Sequence, residues 1–265
     1  MTPDIPGGSS PVPGSTPSLP PSVTAGVQVL LCDADGNLFP SEEPAFVASA
    51  DVTNRFLAEL GDDRRFTPEE LRLATTGMNF RTTSRRLAAE AGRPDVDVEP
   101  WVAEERRAVT AYLGEHLRPH EPTTAALTAI ATRLRPAAVS SSALSRLAAC
   151  FTATGLDALI PPEVRFSAED SLPTPTSKPD PAVYRHACAE LGIAPAEGLA
   201  VEDSVAGALS AVRAGCPTVG NLLFVQPAER ADREAALRGA GVLAVVSSWQ
   251  ELAGLLLPVL TGGGR

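Results

Sequence analysis

The sequence predicts an α/β protein, a doubly wound parallel sheet that carries an inserted block of helices after its first strand. Three observations predict it. A short apolar run, "VQVLLC", ends at Asp33 and suits a strand buried on both faces of a parallel sheet. From about residue 44 to 115, apolar residues recur at spacings of three and four with no strand-like alternation, which is the period of helices. After Pro119, short apolar strand segments alternate with helical ones, the pattern of a parallel sheet with helices on both faces.

Within the helical block the segments are "PAFVASADVTNRFLAEL", "TPEELRLAT", "RTTSRRLAAEAG" and "PWVAEERRAVTAYLGEHL". Thr67 followed three residues later by Glu70 has capping-box spacing and starts the second of them. Beyond the block the pattern predicts a helix over 122–134, strand "AAVS", helices over 143–154 and 180–191, strand "GLAVE" and a helix over 204–214. Strands "PTVG" and "VLAVV" and a closing helix from Ser248 complete it. One strand before the block and several after it make the block an insertion. The expected organisation is a core of 26–42 and 117–265, an inserted domain of 43–116, and a disordered Pro/Ser/Gly-rich tail of 1–25.

At 265 residues with 44% hydrophobic content, the chain can bury a substantial core. A net charge of -10 without a dense Lys/Arg run argues against nucleic acid or an anionic membrane as partner. Cys32, Cys150, Cys188 and Cys216 are widely spaced and form no C-x-x-C pair, which speaks against a zinc knuckle or a disulfide framework and for buried thiols in a reducing cytosol. The first 26 residues lack the basic start and apolar run of a secretory signal. The stretch "ELAGLLLPVL" is too short to span a bilayer. A soluble, cytoplasmic monomer or homodimer is expected.

In such sheets ligands sit at the carboxyl ends of the strands. The first strand delivers Asp33-Ala34-Asp35-Gly36, where the glycine permits a sharp turn. Asp95-Val96-Asp97 repeats the Asp-x-Asp spacing in a polar linker with no strand in front and reads as a solvated loop. A second strand ends in Ser140-Ser141-Ser142, hydroxyls that cap the next helix or hold a phosphate oxygen at its start. A third ends in Val201-Glu202-Asp203-Ser204, followed by a helix whose dipole the two acids would complement. Of 22 Lys and Arg, only Lys178 is lysine, leaving 21 arginines. A chain that writes its other cations as Arg keeps this compact ammonium in "SKPDPAVY", and the two cations are not interchangeable where a small point charge must fit between carboxylates and a phosphoryl group.

Taken in order, Asp33-x-Asp35-Gly36 after an apolar strand, Ser140 at a later strand end, Lys178, and "AVEDSVAGALSAVRAG" resemble the four signature motifs of the haloacid dehalogenase (HAD) superfamily. The resemblance spans about residues 26 to 260. The helical insert resembles the cap of the subgroup containing β-phosphoglucomutase, phosphoglycolate phosphatase and phosphonoacetaldehyde hydrolase. The resemblance implies a Rossmann-like core and roles for matching residues. Asp33 is the implied nucleophile and Asp35 the implied general acid and base. Ser140, with Ser141 through its backbone, and Lys178 are implied to hold the phosphoryl group. Mg²⁺ is implied on Asp33, the main-chain carbonyl of Asp35 and Asp203, with Glu202 acting through a water.

Within the family, Asp35 argues for phosphoryl transfer over dehalogenation. The helical block contains no lysine, so the Schiff base of phosphonate hydrolysis has no donor. The phosphomutases place a histidine where Ala45 stands, which favours water as acceptor. Asn37 and Pro40 depart from the usual pattern. In the block, "TTGMNFRTTSRR" is the segment expected to meet substrate, through Thr76, Gly77, Asn79 and Arg81. His116 and His120 read as structural or solvent-facing. The expectation is a Mg²⁺-dependent phosphatase acting on a small phosphorylated metabolite, a sugar phosphate or phosphoglycolate-like compound, with a β-phosphoglucomutase-like mutase and a non-catalytic binding module as alternatives.

Overall fold

The computed structural model describes residues 19–20, 26–75 and 78–261. Six strands form one parallel sheet: β1 (Val29–Cys32), β2 (Arg135–Ser140), β3 (Arg165–Ser167), β4 (Gly198–Glu202), β5 (Thr218–Asn221) and β6 (Ala244–Val246). Their order is β3-β2-β1-β4-β5-β6, with Leu31 of β1 paired to Ala137 on one side and Ala200 on the other. The winding reverses at the β1/β4 boundary, the switch point at which open parallel sheets bind ligands.

The apolar run of β1 follows from two-sided burial. Leu30 and Cys32 enter one core with Phe151, Trp249 and Leu252, while Val29 and Leu31 enter another with Tyr184, Cys188 and Cys216. Alternate side chains leave opposite faces, and here both faces are covered. All four cysteines are buried free thiols.

Of the five helices between β1 and β2, the first four form the block: α1 (Glu42–Leu60), α2 (Pro68–Ala74), α3 (Phe80–Glu90) and α4 (Glu99–His116). Both halves of the Thr67–Glu70 capping box form at the start of α2. Phe56, Leu57, Leu87, Ala88 and Val98 make a small core of their own. Farther along α4, Val109 and Leu113 belong to the main core, so this helix ties the block to the sheet domain. Six further α-helices follow among the described residues: α5 (Glu121–Ala131), α6 (Leu144–Thr154), α7 (Ala182–Glu190), α8 (Val205–Ala214), α9 (Arg230–Gly239) and α10 (Trp249–Thr261).

Two of these elements, β3 and α9, are absent from the sequence reading. The strand β3 hides because its first residue is a buried arginine, satisfied by the Ile160 carbonyl, the Asp157 carboxylate and the Phe151 ring. The helix α9 hides because it buries only Leu237, too little for an apolar stripe. Leu19, inside the stretch expected as a tail, packs into the main core; residues 1–18 and 21–25 lie outside the described residues. His120 caps α5 by accepting from the Thr123 N–H, and His116 stacks on Tyr112, so both are structural. Among the described residues no helix is long and apolar enough to cross a membrane.

Candidate active site

Three adjacent strands bring the motif residues to one edge. Asp33 follows β1, Ser140 ends β2, and Glu202 ends β4 with Asp203 next, and neighbouring strands lie about 4.8 Å apart. Gly36 has a left-handed φ of 75°, and a β-carbon there would stand 2.6 Å from Asp203 Oδ2. Glycine is therefore required both for the turn and for the close approach of the acid. Asn37 donates through Nδ2 to the carbonyls of Asp33 and Val201, both at 3.0 Å, and accepts from Asn221 Nδ2 at 2.8 Å. Its departure from the family pattern thus staples the ends of β1, β4 and β5.

Lys178 places its ammonium in the middle of the edge. Nζ donates to Asp33 Oδ1 at 2.5 Å, Glu202 Oε1 at 2.7 Å and the Val139 carbonyl at 2.7 Å. All three donors of a lysine are used. Its backbone N–H donates to Ser141 Oγ, so the loop carrying Lys178 is anchored on the loop after β2. Tyr184 OH also donates to Glu202 Oε1, at 2.5 Å. Opposite charges on both sides hold Lys178 protonated against its burial.

The acids are held differently. Burial pushes Asp33 up to about 8, with Lys178 pulling it down and Glu202 and Asp35 pushing it up. Asp203 is raised well above the usual carboxylate range by burial and by the charges of Asp33 and Glu202. Burial would raise Asp35 too, but Arg146, Ser41 and Ser142 outweigh it and hold it below its ordinary value. Their contacts are Ser41 Oγ to Oδ1 at 2.5 Å, Arg146 Nη2 to Oδ1 at 3.0 Å and Ser142 Oγ to Oδ2 at 2.7 Å.

Carboxylate oxygens of Asp33, Glu202 and Asp203 lie within 4.8 Å of one another. Lys178 pairs with Asp33 and Glu202, the Asp203 carboxylate has Arg233 no nearer than 3.9 Å, and Glu202 Oε2 is buried without a hydrogen-bond partner. That all-oxygen, negatively charged donor set fits a hard divalent cation. No serine of 140–142 caps α6; its Leu144 N–H is taken by Asp170 Oδ2 at 2.6 Å. Ser140 Oγ accepts from the Ser142 N–H.

The family of haloacid dehalogenase-like hydrolases matches residues 27–215. The chain belongs to that family. Phosphoglycolate phosphatase of Thiobacillus denitrificans is 31% identical over 199 residues, covering 72% of this chain and 81% of that protein. A conserved haloacid dehalogenase-like protein from Agrobacterium tumefaciens superposes with a TM-score of 0.66 at 26% identity, covering 88% of this chain and 99% of the other. A HAD family hydrolase from Deinococcus radiodurans R1, solved with bound phosphate and sodium, gives 0.64 at 28% identity, covering 88% and 98%.

In this hydrolase the residues expected to contact substrate from the block are less clearly aimed. Asn79 caps α3 by accepting from the Thr82 N–H at 2.9 Å. Arg81 pairs with both oxygens of Glu99, at 2.7 and 2.8 Å. Thr76 and Gly77 lie outside the described residues. Sequence reasoning also misses Tyr184, Arg146 and Arg233, whose Nη1 donates to the Asp203 carbonyl at 3.0 Å. A cleft beside Gly36 and Asp203 is lined by Arg72, Phe224, Gln226 and Arg233. At this cleft the block meets the core through Arg72–Glu229 and Gln226–Glu43 contacts.

Proposed function

We propose that the enzyme is a Mg²⁺-dependent phosphatase that hydrolyses a small phosphomonoester through a phosphorylated Asp33. The observation that carries this reading is Lys178 Nζ held between Asp33 and Glu202, with Asp203 alongside. An ammonium among buried acids balances charge where a phosphoryl group would add more.

In this mechanism the Asp33 oxygen not held by Lys178 attacks phosphorus, and the ester P–O bond breaks. The departing oxygen takes its proton from Asp35. Water then attacks the phosphorus of the aspartyl phosphate and passes a proton back to Asp35, releasing inorganic phosphate and free Asp33. The first step leaves Asp35 ionised, and the Arg146, Ser41 and Ser142 contacts that hold its pKa below the ordinary value favour that form for taking the proton from water in the second. Ser140 and Lys178 hold phosphoryl oxygens, with Ser141 fixing the Lys178 loop. Asp33, Asp203 and the Asp35 carbonyl would hold Mg²⁺, with Glu202 behind them; bound there, it supplies electrostatic stabilisation of the transferring group.

Residues 43–116 act as a cap over the strand ends. The substrate is a sugar phosphate or a phosphoglycolate-like metabolite, a reading supported by the Thiobacillus relative. Ala45, on the first turn of α1, offers no group to activate a sugar hydroxyl, which supports water as acceptor over mutase chemistry. The test is phosphate release from sugar phosphates, phosphoglycolate and 4-nitrophenyl phosphate, with Mg²⁺ or chelator, for wild type and Asp33→Asn. Metal-dependent release lost in the variant is expected. Full activity in Asp33→Asn would end the covalent mechanism, and isomerised sugar phosphate in place of free phosphate would identify a mutase.

A further inference from the structure

Arg146 stands where helix electrostatics disfavour it. It is the third residue of α6, close to the positive end of the helix dipole, where acids are favoured over cations. Its Nε is buried without a hydrogen-bond partner, an arrangement that is costly unless the guanidinium is needed elsewhere. The need is met by Asp35: Nη2 reaches Oδ1 at 3.0 Å across 111 residues of sequence. Arg146 also interacts electrostatically with Cys150 of its own helix and with Glu105 of α4, whose Oε1 accepts from Ser49 Oγ of α1 at 3.0 Å. The guanidinium thus bonds a carboxylate of the core and feels the charge of one from the block.

We infer that Arg146 is a positioning residue for Asp35, fixing the direction in which its carboxylate faces the leaving group. The other two donors to that carboxylate, Ser41 and Ser142, are hydroxyls whose hydrogens rotate freely. A planar guanidinium has fixed N–H directions, so of the three it alone imposes an orientation. This rests on the phosphatase reading, in which Asp35 protonates the leaving oxygen. Misdirecting that proton matters most where the leaving group is poor.

The test compares phenyl phosphate, a poorer leaving group, with 4-nitrophenyl phosphate, a better one, in wild type, Arg146→Gln, Arg146→Lys, Asp35→Asn and the Arg146→Gln/Asp35→Asn double variant, all with Mg²⁺. General acid catalysis contributes about 10²–10⁴-fold. Arg146→Gln is expected to lower kcat on phenyl phosphate roughly tenfold or more beyond its effect on 4-nitrophenyl phosphate, with KM little changed. In the Asp35→Asn background the Gln substitution should add nothing. Arg146→Lys, which keeps charge without the planar fork and serves if the Gln variant folds poorly, should recover part of the loss. Equal losses on both esters, a raised KM at unchanged kcat, or additive effects with Asp35→Asn would overturn the inference. Wild type inactive on both esters with Mg²⁺ would instead remove the phosphatase reading, and the role of Arg146 with it.

Discussion

Gly207 lies so close to Glu202 that a β-carbon on the glycine would fall 1.8 Å from Oε2. Real atoms do not share that space, so Gly207→Ala must displace Glu202, one of the two acids holding Lys178. Overpacking of a buried site costs about 1–3 kcal/mol. We expect Gly207→Ala to lower the urea midpoint accordingly and to reduce phosphate release, through a residue that touches no substrate. Unchanged stability and turnover would show that Glu202 has another place to go.

Lys178→Arg is expected to be inactive despite its conserved charge. Three acceptors close around a single Nζ, whereas guanidinium spreads its donors over a rigid plane. Loss of one such donor to developing charge costs about 10²–10³-fold in kcat. Lys178→Met goes further, leaving Asp33 and Glu202 buried without their counter-ion, at about 3–5 kcal/mol of stability. Phosphate release and urea unfolding of both variants read the two effects separately, and an active Lys178→Arg would contradict the first.

Asn37→Leu should destabilise the sheet edge without altering the acids themselves. It removes the donor to the Asp33 and Val201 carbonyls and the acceptor for Asn221, and each buried group left unpaired costs about 1–3 kcal/mol. A thermal midpoint within error of wild type would dismiss the staple.

Glu105 sets an expected pH dependence. Burial raises its pKa above the ordinary value, and Ser49, Arg146 and Arg106 offset this only in part. The folded chain therefore holds this proton more tightly than the unfolded chain, whose value is about 4.3. Stability from the protonated form is complete below that value and is lost as pH rises through the folded pKa. Relative to Glu105→Gln, wild type should lose stability as pH rises above the unfolded value of about 4.3, measured as urea midpoints across a pH series. A flat or rising difference would mean that Arg146 and Arg106 fully compensate the buried charge.

The sheet, the inserted block and the acids at the strand ends are legible in the sequence because each announces itself locally. Asp33 and Asp203 follow apolar runs, and Lys178 is conspicuous by its residue type. What stays hidden depends on partners far away in the chain. Tyr184 reads as part of the apolar face of α7, and only the fold brings its hydroxyl to Glu202, 18 residues on. Arg146 is one arginine among 21 until α6 is set beside the turn after β1. Arg165 looks like a loop residue because its satisfaction comes from a carbonyl, a carboxylate and a ring that the fold assembles around it. Asn37 gives no local sign of its contacts with Val201 and Asn221, which lie on strands far along the chain.

A chain with one lysine offers amine-directed reagents a single side chain, and here that side chain is 6% exposed with every donor committed. Acylating agents such as activated esters should therefore leave the folded protein with only its α-amino group labelled and add a second label as the strand ends come apart. Counting acyl groups by mass would turn ordinary bioconjugation chemistry into a gauge of site integrity, read without substrate, metal or assay.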